Sequence, residues 1–487
     1  LIYLFLLEQA FIECYCFSTL TANAAGMKKL LFISCLFLFS GSLIAQKKYE
    51  ASWASLDTRP VPQWFTDAKF GIFIHWGLYS VPAWAPTGKE WPLYSKYAEW
   101  YWYRLQSDSS KVGDAYRAFH TKTYGAQARY QDFVKDFKAE LFKPDQWADL
   151  FAQSGAKYVV LTSKHHEGFA LWPSKQAPNW NAVDVGPRRD LAGDLSNAVK
   201  SKGLKMGYYF SLYEWYNPIY RTDVNRYVDE HMMPQLKDLV MRYHPDIVWP
   251  DGEWEHPSKV WRSEEFLSWL YNESPVKETV AVNDRWGKET RSKHGGYYTT
   301  EYDLVHDIVN KDTKIAKPWE ECRGIGSSFG YNRAESLVDY ASSASLVHLL
   351  IEKVARGGNL LLDVGPAADG TIPLIMQQRL LDIGAWLKIN GEAIYGTTSW
   401  EAAPVIGNET TRYFTRKGND LYLLCTTYPK ESIVVEKVGR PKRVTLLGTG
   451  AAMQTKSTDG KTVITPPLLP GNIAGQHAWV FKLEGVL

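Results

Sequence analysis

The segment Val248-Trp249-Pro250-Asp251-Gly252-Glu253-Trp254 sets two carboxylates directly after an apolar run, with a tryptophan on either side. Its glycine permits a tight exit from a strand. Alternation places Asp251 and Glu253 on one face if the strand continues, and either could act as a nucleophile or a general base. A helix cap or a loop salt bridge is an equally good account of carboxylates at a strand end.

A second cluster is Lys164-His165-His166-Glu167-Gly168-Phe169. Adjacent histidines on a regular strand point to opposite faces, so they rarely ligate one ion, and no third ligand follows at helical spacing. Neutral histidines hydrogen-bonding to hydroxyls are the better functional reading, and a satisfied structural pair is the bland one. Further carboxylates stand at Glu99, Glu214, Asp284, Glu301, Asp303, Glu320 and Glu321. Glu301 follows the weakly charged stretch Gly295-Gly296-Tyr297-Tyr298-Thr299-Thr300. Glu320 follows Trp319, whose indole would raise a neighbouring carboxyl pKa. Gly326-Ser327-Ser328-Phe329-Gly330 matches G-x-S-x-G, but no apolar strand precedes it, so it reads as a Gly/Ser loop.

These groups must be positioned by the elements around them. Strand-like runs fall at 70–77, 158–164, 206–211, 246–250, 280–283 and 359–364. Helix-like stretches lie at 143–154, 191–202, 225–243, 264–271, 336–354 and 373–390. Such alternation means a parallel sheet with helices outside. Reactive or aromatic residues follow several different strands: His75-Trp76, His165-His166, Tyr213-Glu214-Trp215, Asp251 to Trp254 and Asp284-Arg285-Trp286. A barrel collects its chemistry from many strand ends, whereas a doubly wound sheet wants one glycine-rich turn that is missing here. The expected fold is therefore α/β, a (β/α)8-like barrel over 46–395. Over 396–487 short runs punctuated by Gly, Pro, Asn and Asp predict an antiparallel β-sandwich.

Composition narrows the function classes. With 487 residues, 45% hydrophobic, 14% aromatic and 22% charged, the chain is neither disordered nor a polytopic membrane protein. A formal charge of +2 supplies no field for nucleic acid. The 20 Trp and 29 Tyr suit pockets for neutral, amphipathic ligands. Lys28 and Lys29, followed by an uncharged run from Leu30 to Ala45, read as a signal peptide too short for a membrane span. Residues 1–45 are thus expected to be upstream sequence plus leader, with a periplasmic or secreted mature chain that carries no integral span. Beyond them only Cys322 and Cys425 remain, predicted to be free and buried. Many carboxylates, His and Trp without a cofactor fingerprint point to sugar chemistry, in which one carboxyl of a pair is kept protonated.

Eleven ordered motifs carry a family resemblance: KFGIFIHWGLYSVPAW, EWYW, YVVLTSKHHEGF, DLAGDL, YYFSLYEW, PDIVWPDGEW, FLSWLYNESPV, VNDRWG, HGGYYTTEYD, PWE and GGNLLLDVGPAADG. From about Trp64 onward the chain resembles the α-L-fucosidases of glycoside hydrolase family 29, on the branch of the animal lysosomal enzymes. The resemblance implies a retaining exo-glycosidase on a (β/α)8-like barrel with a C-terminal β-sandwich, needing neither cofactor nor metal. It implies Asp251 as nucleophile and His75, Glu99, Trp100, His165, His166, Tyr209, Trp249 and Arg285 as sugar-binding residues. For the acid/base it offers Glu301, with Glu320 as the alternative and Asp303 a further candidate.

Overall fold

Seven of eight short strands are buried along nearly their whole length, as expected of parallel strands covered on both faces, and the eighth, Tyr298–Glu301, is buried at its two central residues. In this computed structural model, residues 47–303, 317–400, 405–406, 411–449, 452–469 and 476–487 are described. The leader expected over 1–45 lies outside them. The strands are β1 (Phe70–Ile74), β2 (Tyr158–Lys164), β3 (Lys205–Ser211), β4 (Ile247–Asp251), β5 (Ala281–Val282), β6 (Tyr298–Glu301), β7 (Trp319–Gly324) and β8 (Asn359–Val364). They pair in parallel in the order β5-β4-β3-β2-β1-β8-β7-β6, the order of a (β/α)8 barrel with its seam between β5 and β6. At that seam Gly296 N donates to Asn283 O and Tyr297 N to Val282 O, both at 3.0 Å. Asp284 adds to the closure by accepting the Thr299 backbone N–H at 3.1 Å and its hydroxyl at 2.7 Å.

The period of two sorts the side chains. Phe73, Tyr158, Val160, Tyr209, Ile247, Trp249, Ala281, Cys322 and Leu361 make one buried cluster inside the barrel. Their neighbours Ile72, Val159, Leu161, Tyr208, Phe210, Val248 and Leu362 pack in the outer core with the helices. Each large apolar side chain so buried contributes about 1.5–3 kcal/mol. Tyr208 and Tyr209 show the sorting directly. Tyr208 donates outward to Ala192 O at 2.9 Å, and Tyr209 donates inward to Asp251 at 2.9 Å.

The helices follow local signals. Helix α1 (Pro144–Gln153) starts on a proline, and α2 (Leu191–Ser201) is capped by Asp190, which accepts from Gly193 N at 2.9 Å. The helix expected over 225–243 is present from Val224 to Tyr243 without interruption, with a π turn at Val228–Met232 between Val224–Tyr227 and α3 (Met233–Tyr243). Pro234, with no N–H to give, sits in the first turn of α3. Helix α4 (Ser263–Asn272) lies near its expected bounds, but α5 (Ser343–Ala355) begins later than expected, where Ser342 accepts from Ser345 N at 3.1 Å. The last is α6 (Leu374–Asn390).

Beyond the barrel, Thr411–Lys417, Asp420–Cys425, Trp479–Glu484 and Arg443–Leu446 form an antiparallel sheet, and Ile433–Glu436, Lys461–Thr465 and Gln454–Thr458 a second. Leu421, Leu423 and Phe481 face a core between these sheets, while Tyr422, Leu424 and Val480 join the barrel's outer core. Trp386 Nε1 on α6 donates to Ala478 O at 2.9 Å, and Thr415 Oγ1 donates to Ala393 O at 2.7 Å. Removing the β module therefore strips apolar cover from α5 and α6. A chain ending at Tyr395 is expected to be insoluble, and soluble yield with full activity would contradict this packing.

Candidate active site

The strand ends open into a cavity of about 430 Å³ lined by His75, Glu99, Trp100, His165, His166, Tyr209, Trp249, Asp251, Arg285 and Glu301, among others. Every sugar-binding residue expected from the sequence lies on this wall, together with Asp251 and Glu301. Glu320 and Asp303 do not.

Asp251 ends β4 and points inward in register with Ile247 and Trp249. Gly252 then takes φ +74°, and a Cβ there would meet the Tyr213 ring at 2.4 Å, so the chain leaves the strand at once. Glu253 consequently does not continue the strand. It lines the same cavity but is buried against Arg291 Nε at 2.5 Å. Asp251 Oδ1 accepts Arg285 Nη1 at 2.7 Å and faces Arg291 Nη2 at 3.5 Å, while Oδ2 accepts Tyr209 OH at 2.9 Å. Burial alone would raise its pKa, but the two guanidiniums and the phenol overcome that and hold it below the ordinary carboxylate value.

Glu301 stands at the end of β6. Its Oε1 accepts Tyr97 OH at 2.9 Å, and its Oε2 lies 3.7 Å from Arg285 Nη2. Burial, reinforced by the Asp251 charge, raises its pKa against the pull of Arg285. The two carboxyls thus share one guanidinium but are shifted in opposite directions. Past Glu301, Tyr302 and Asp303 take φ 49° and 56°, turning the chain away. Asp303 is held between Lys353 Nζ and Arg323 Nη2, each at 2.6 Å, which helps keep it ionised. Glu320 lies beneath the cavity floor. It accepts Tyr158 OH at 2.6 Å and Trp249 Nε1 at 2.9 Å, and burial pushes its pKa up to about 7.

The histidines are oriented from behind. His166 Nδ1 meets Ser211 Oγ at 2.7 Å, and that hydroxyl donates to Tyr213 O, so Nδ1 carries the hydrogen. Burial and the neighbouring cations lower its pKa well below the ordinary value, which makes Nε2 an acceptor. His75 Nδ1 lies 2.6 Å from Asp363 Oδ1. Burial drives the His75 pKa down and the Asp363 pKa up, and the contact fixes the plane of the imidazole so that Nε2 faces the cavity. His165 Nδ1 faces Glu167 Oε2 at 3.6 Å. Glu99, raised to about 6 by burial, accepts Gly330 N at 2.8 Å, so the Gly/Ser loop that imitates a nucleophile elbow in fact anchors this carboxyl. Lys164, Glu214 and His231 form a buried polar cluster, with Glu214 Oε1 2.7 Å from Lys164 Nζ and 2.8 Å from His231 Nε2.

Sequence reasoning missed Tyr97, Arg291 and Asp363. Nothing distinguishes a lone Tyr or Arg in a loop. Asp363, however, ends the expected strand 359–364, and the strand-end rule that selected Asp251 would also have selected it. Cys322 and Cys425 are free and buried, as expected, and Cys322 lines the cavity 4.0 Å from Arg285 Nη2.

A (β/α)8 barrel with carboxyls, histidines and indoles gathered at its strand ends has the layout of a glycoside hydrolase. Comparison with known proteins makes this specific: the family model "Alpha-L-fucosidase" matches residues 36–392, and the chain belongs to that family. It is 43% identical to an alpha-L-fucosidase of Dictyostelium discoideum over 94% of this chain and 100% of that one. With the human tissue alpha-L-fucosidase the identity is 40% over 96% and 98% of the two chains. The crystal structure of Thermotoga maritima alpha-fucosidase with a mechanism-based inhibitor superposes with TM-score 0.76 at 38% identity, covering 90% of this chain and 100% of that one.

The His75–Asp363 contact can be tested by mutation. Asp363→Ala is expected to raise KM for an aryl α-L-fucoside about tenfold, the value of one buried hydrogen bond. Asp363→Asn, whose amide can pair with Nδ1 in either tautomer, should stay near wild type. Equal losses in both variants would contradict orientation of the imidazole by this hydrogen bond.

Proposed function

We propose that the protein removes terminal α-L-fucosyl residues with retention of configuration, through a covalent glycosyl-enzyme on Asp251. The observation that carries this reading is the shared guanidinium: Arg285 binds Asp251 at 2.7 Å and approaches Glu301 at 3.7 Å. The two carboxyls face one cavity and are shifted in opposite directions, Asp251 down by Arg285 and Arg291 and Glu301 up by burial. Retaining hydrolysis needs such a pair about 5–5.5 Å apart.

In the first step an Asp251 oxygen forms a bond to the anomeric carbon as the bond to the leaving oxygen breaks. Glu301 gives its proton to that oxygen. In the second step Glu301, now a carboxylate, takes a proton from water. The water oxygen attacks the anomeric carbon and releases Asp251, restoring both groups. Arg285, Arg291 and Tyr209 keep Asp251 ionised, and burial favours the protonated Glu301 that the first step requires.

The cavity wall suits a 6-deoxy sugar. His75 Nε2 would hydrogen-bond to one hydroxyl, while His166 Nε2 and Glu99 would accept from others. Phe73, Trp249 and Phe329 offer apolar faces to the methyl group and the ring C–H groups. Trp100 and His165 complete the ring of contacts. The leader expected over 1–45 supports export to the periplasm or the medium.

Glu301 and Glu320 can be separated by leaving group. Glu301→Ala should slow release of fucose from an oligosaccharide by about 10²–10⁴-fold, and far less from a fucoside of an acidic phenol. Azide should rescue it and yield the α-azide. Glu320→Ala should give losses similar across leaving groups. The reverse pattern would make Glu320 the acid.

A further inference from the structure

Two large apolar side chains on the described surface are both exposed and part of the cavity wall: Tyr94, 45% exposed, and Trp254, 39% exposed. An exposed aromatic ring is ordinary by itself, but one that lines a ligand cavity presents an apolar face to whatever enters it. Both rings are held in place from below. Tyr94 lies in the short helix Leu93–Lys96, and its carbonyl accepts Arg104 Nη2 at 3.0 Å, with Arg104 tied to Asp108 at 2.9 Å. Its ring stands edge-on to Tyr97 at 5.5 Å, and Tyr97 OH is the group that donates to Glu301. Trp254 follows the turn after Asp251. It lies nearly parallel to Trp100 at 6.4 Å and edge-on to His166 at 5.5 Å.

We infer that Tyr94 and Trp254 form the walls of a second subsite, which receives the pyranose ring that fucose leaves. The inference rests on the proposed fucosidase reading, because it takes Glu301 as the donor of a proton to the leaving oxygen. Tyr94 packs on the same Tyr97 whose hydroxyl meets Glu301, and Tyr94, Trp254 and Glu301 line one cavity, which puts these rings within reach of a group that departs toward Glu301. Aromatic faces bind the C–H faces of a sugar without demanding a fixed hydroxyl pattern. Arg104 and Lys288, also on the wall, offer hydrogen bonds to the ring's edge hydroxyls. The subsite thus favours a neutral sugar as leaving group over a small one.

The experiment compares a fucosylated lactose with α-L-fucosyl fluoride, which carries no leaving sugar, in the full chain. Tyr94→Ala and Trp254→Ala should each lower kcat/KM for the oligosaccharide about three- to tenfold, the worth of one stacked ring. Turnover of the fluoride and inhibition by free fucose should stay within twofold of wild type, which also reports an intact fold. Tyr94→Phe keeps the ring and should stay near wild type on both substrates. Equal loss on both substrates, or no loss on the oligosaccharide, would overturn the subsite while leaving the fucosidase reading intact. A wild-type chain that releases fucose from neither substrate would overturn the reading itself, and the subsite with it.

Discussion

A single buried guanidinium, that of Arg285, organises the cavity. It reaches Asp251, Glu301, Thr299 and the Cys322 thiol from within the barrel, and its Cζ lies 4.5 Å from the centre of the Trp249 ring. Taking such a charge out of water is expensive and is offset only when each partner is in place. The indole beneath, the carboxylate beside and the threonine behind meet that condition. Truncating Arg285 would leave Asp251 buried without its main counter-charge, a loss of about 3–5 kcal/mol. Stability and chemistry therefore fall on the same contact. The barrel seam obeys it too, because Thr299, which accepts Arg285 Nε at 3.0 Å, is the residue that Asp284 ties across from β5.

The second constraint is burial. Asp251, Glu301, Glu99, Glu320 and Asp363 all sit where water is scarce, yet their pKa values shift differently because their partners differ. Guanidiniums face Asp251 closely. Phenol and indole donors face Glu320. A neutral imidazole faces Asp363. One enclosed space thus holds one carboxyl shifted down and several shifted up, the spread that acid/base chemistry on a sugar requires.

Much of this was legible in the sequence, and the gaps have physical causes. Strands β2 and β8 match their apolar runs because both of their faces are buried. Strands β6 and β7 escaped because their buried residues are Thr, Glu and Cys, whose burial depends on partners far along the chain, such as Tyr158 and Trp249 for Glu320. Residues at strand ends, His75, His166, Asp251 and Arg285, were recognisable because an apolar run fixes where they emerge. Loop residues such as Tyr97 and Arg291 were not, since only the folded chain brings them to the cavity. The choice among Glu301, Asp303 and Glu320 also waited on geometry. Residues two apart in one motif diverge when two successive left-handed residues turn the chain outward.

The most direct test of the account is covalent trapping. Incubation with a 2-deoxy-2-fluoro-α-L-fucosyl fluoride slows both steps, the second more than the first, so a glycosyl-enzyme should accumulate. Proteolysis and mass spectrometry should then find one fluorofucosyl group per chain, on the peptide carrying Asp251. A label on Glu253, on Glu301 or on no residue at all would contradict the assignment of Asp251 as the nucleophile that Arg285 keeps ionised.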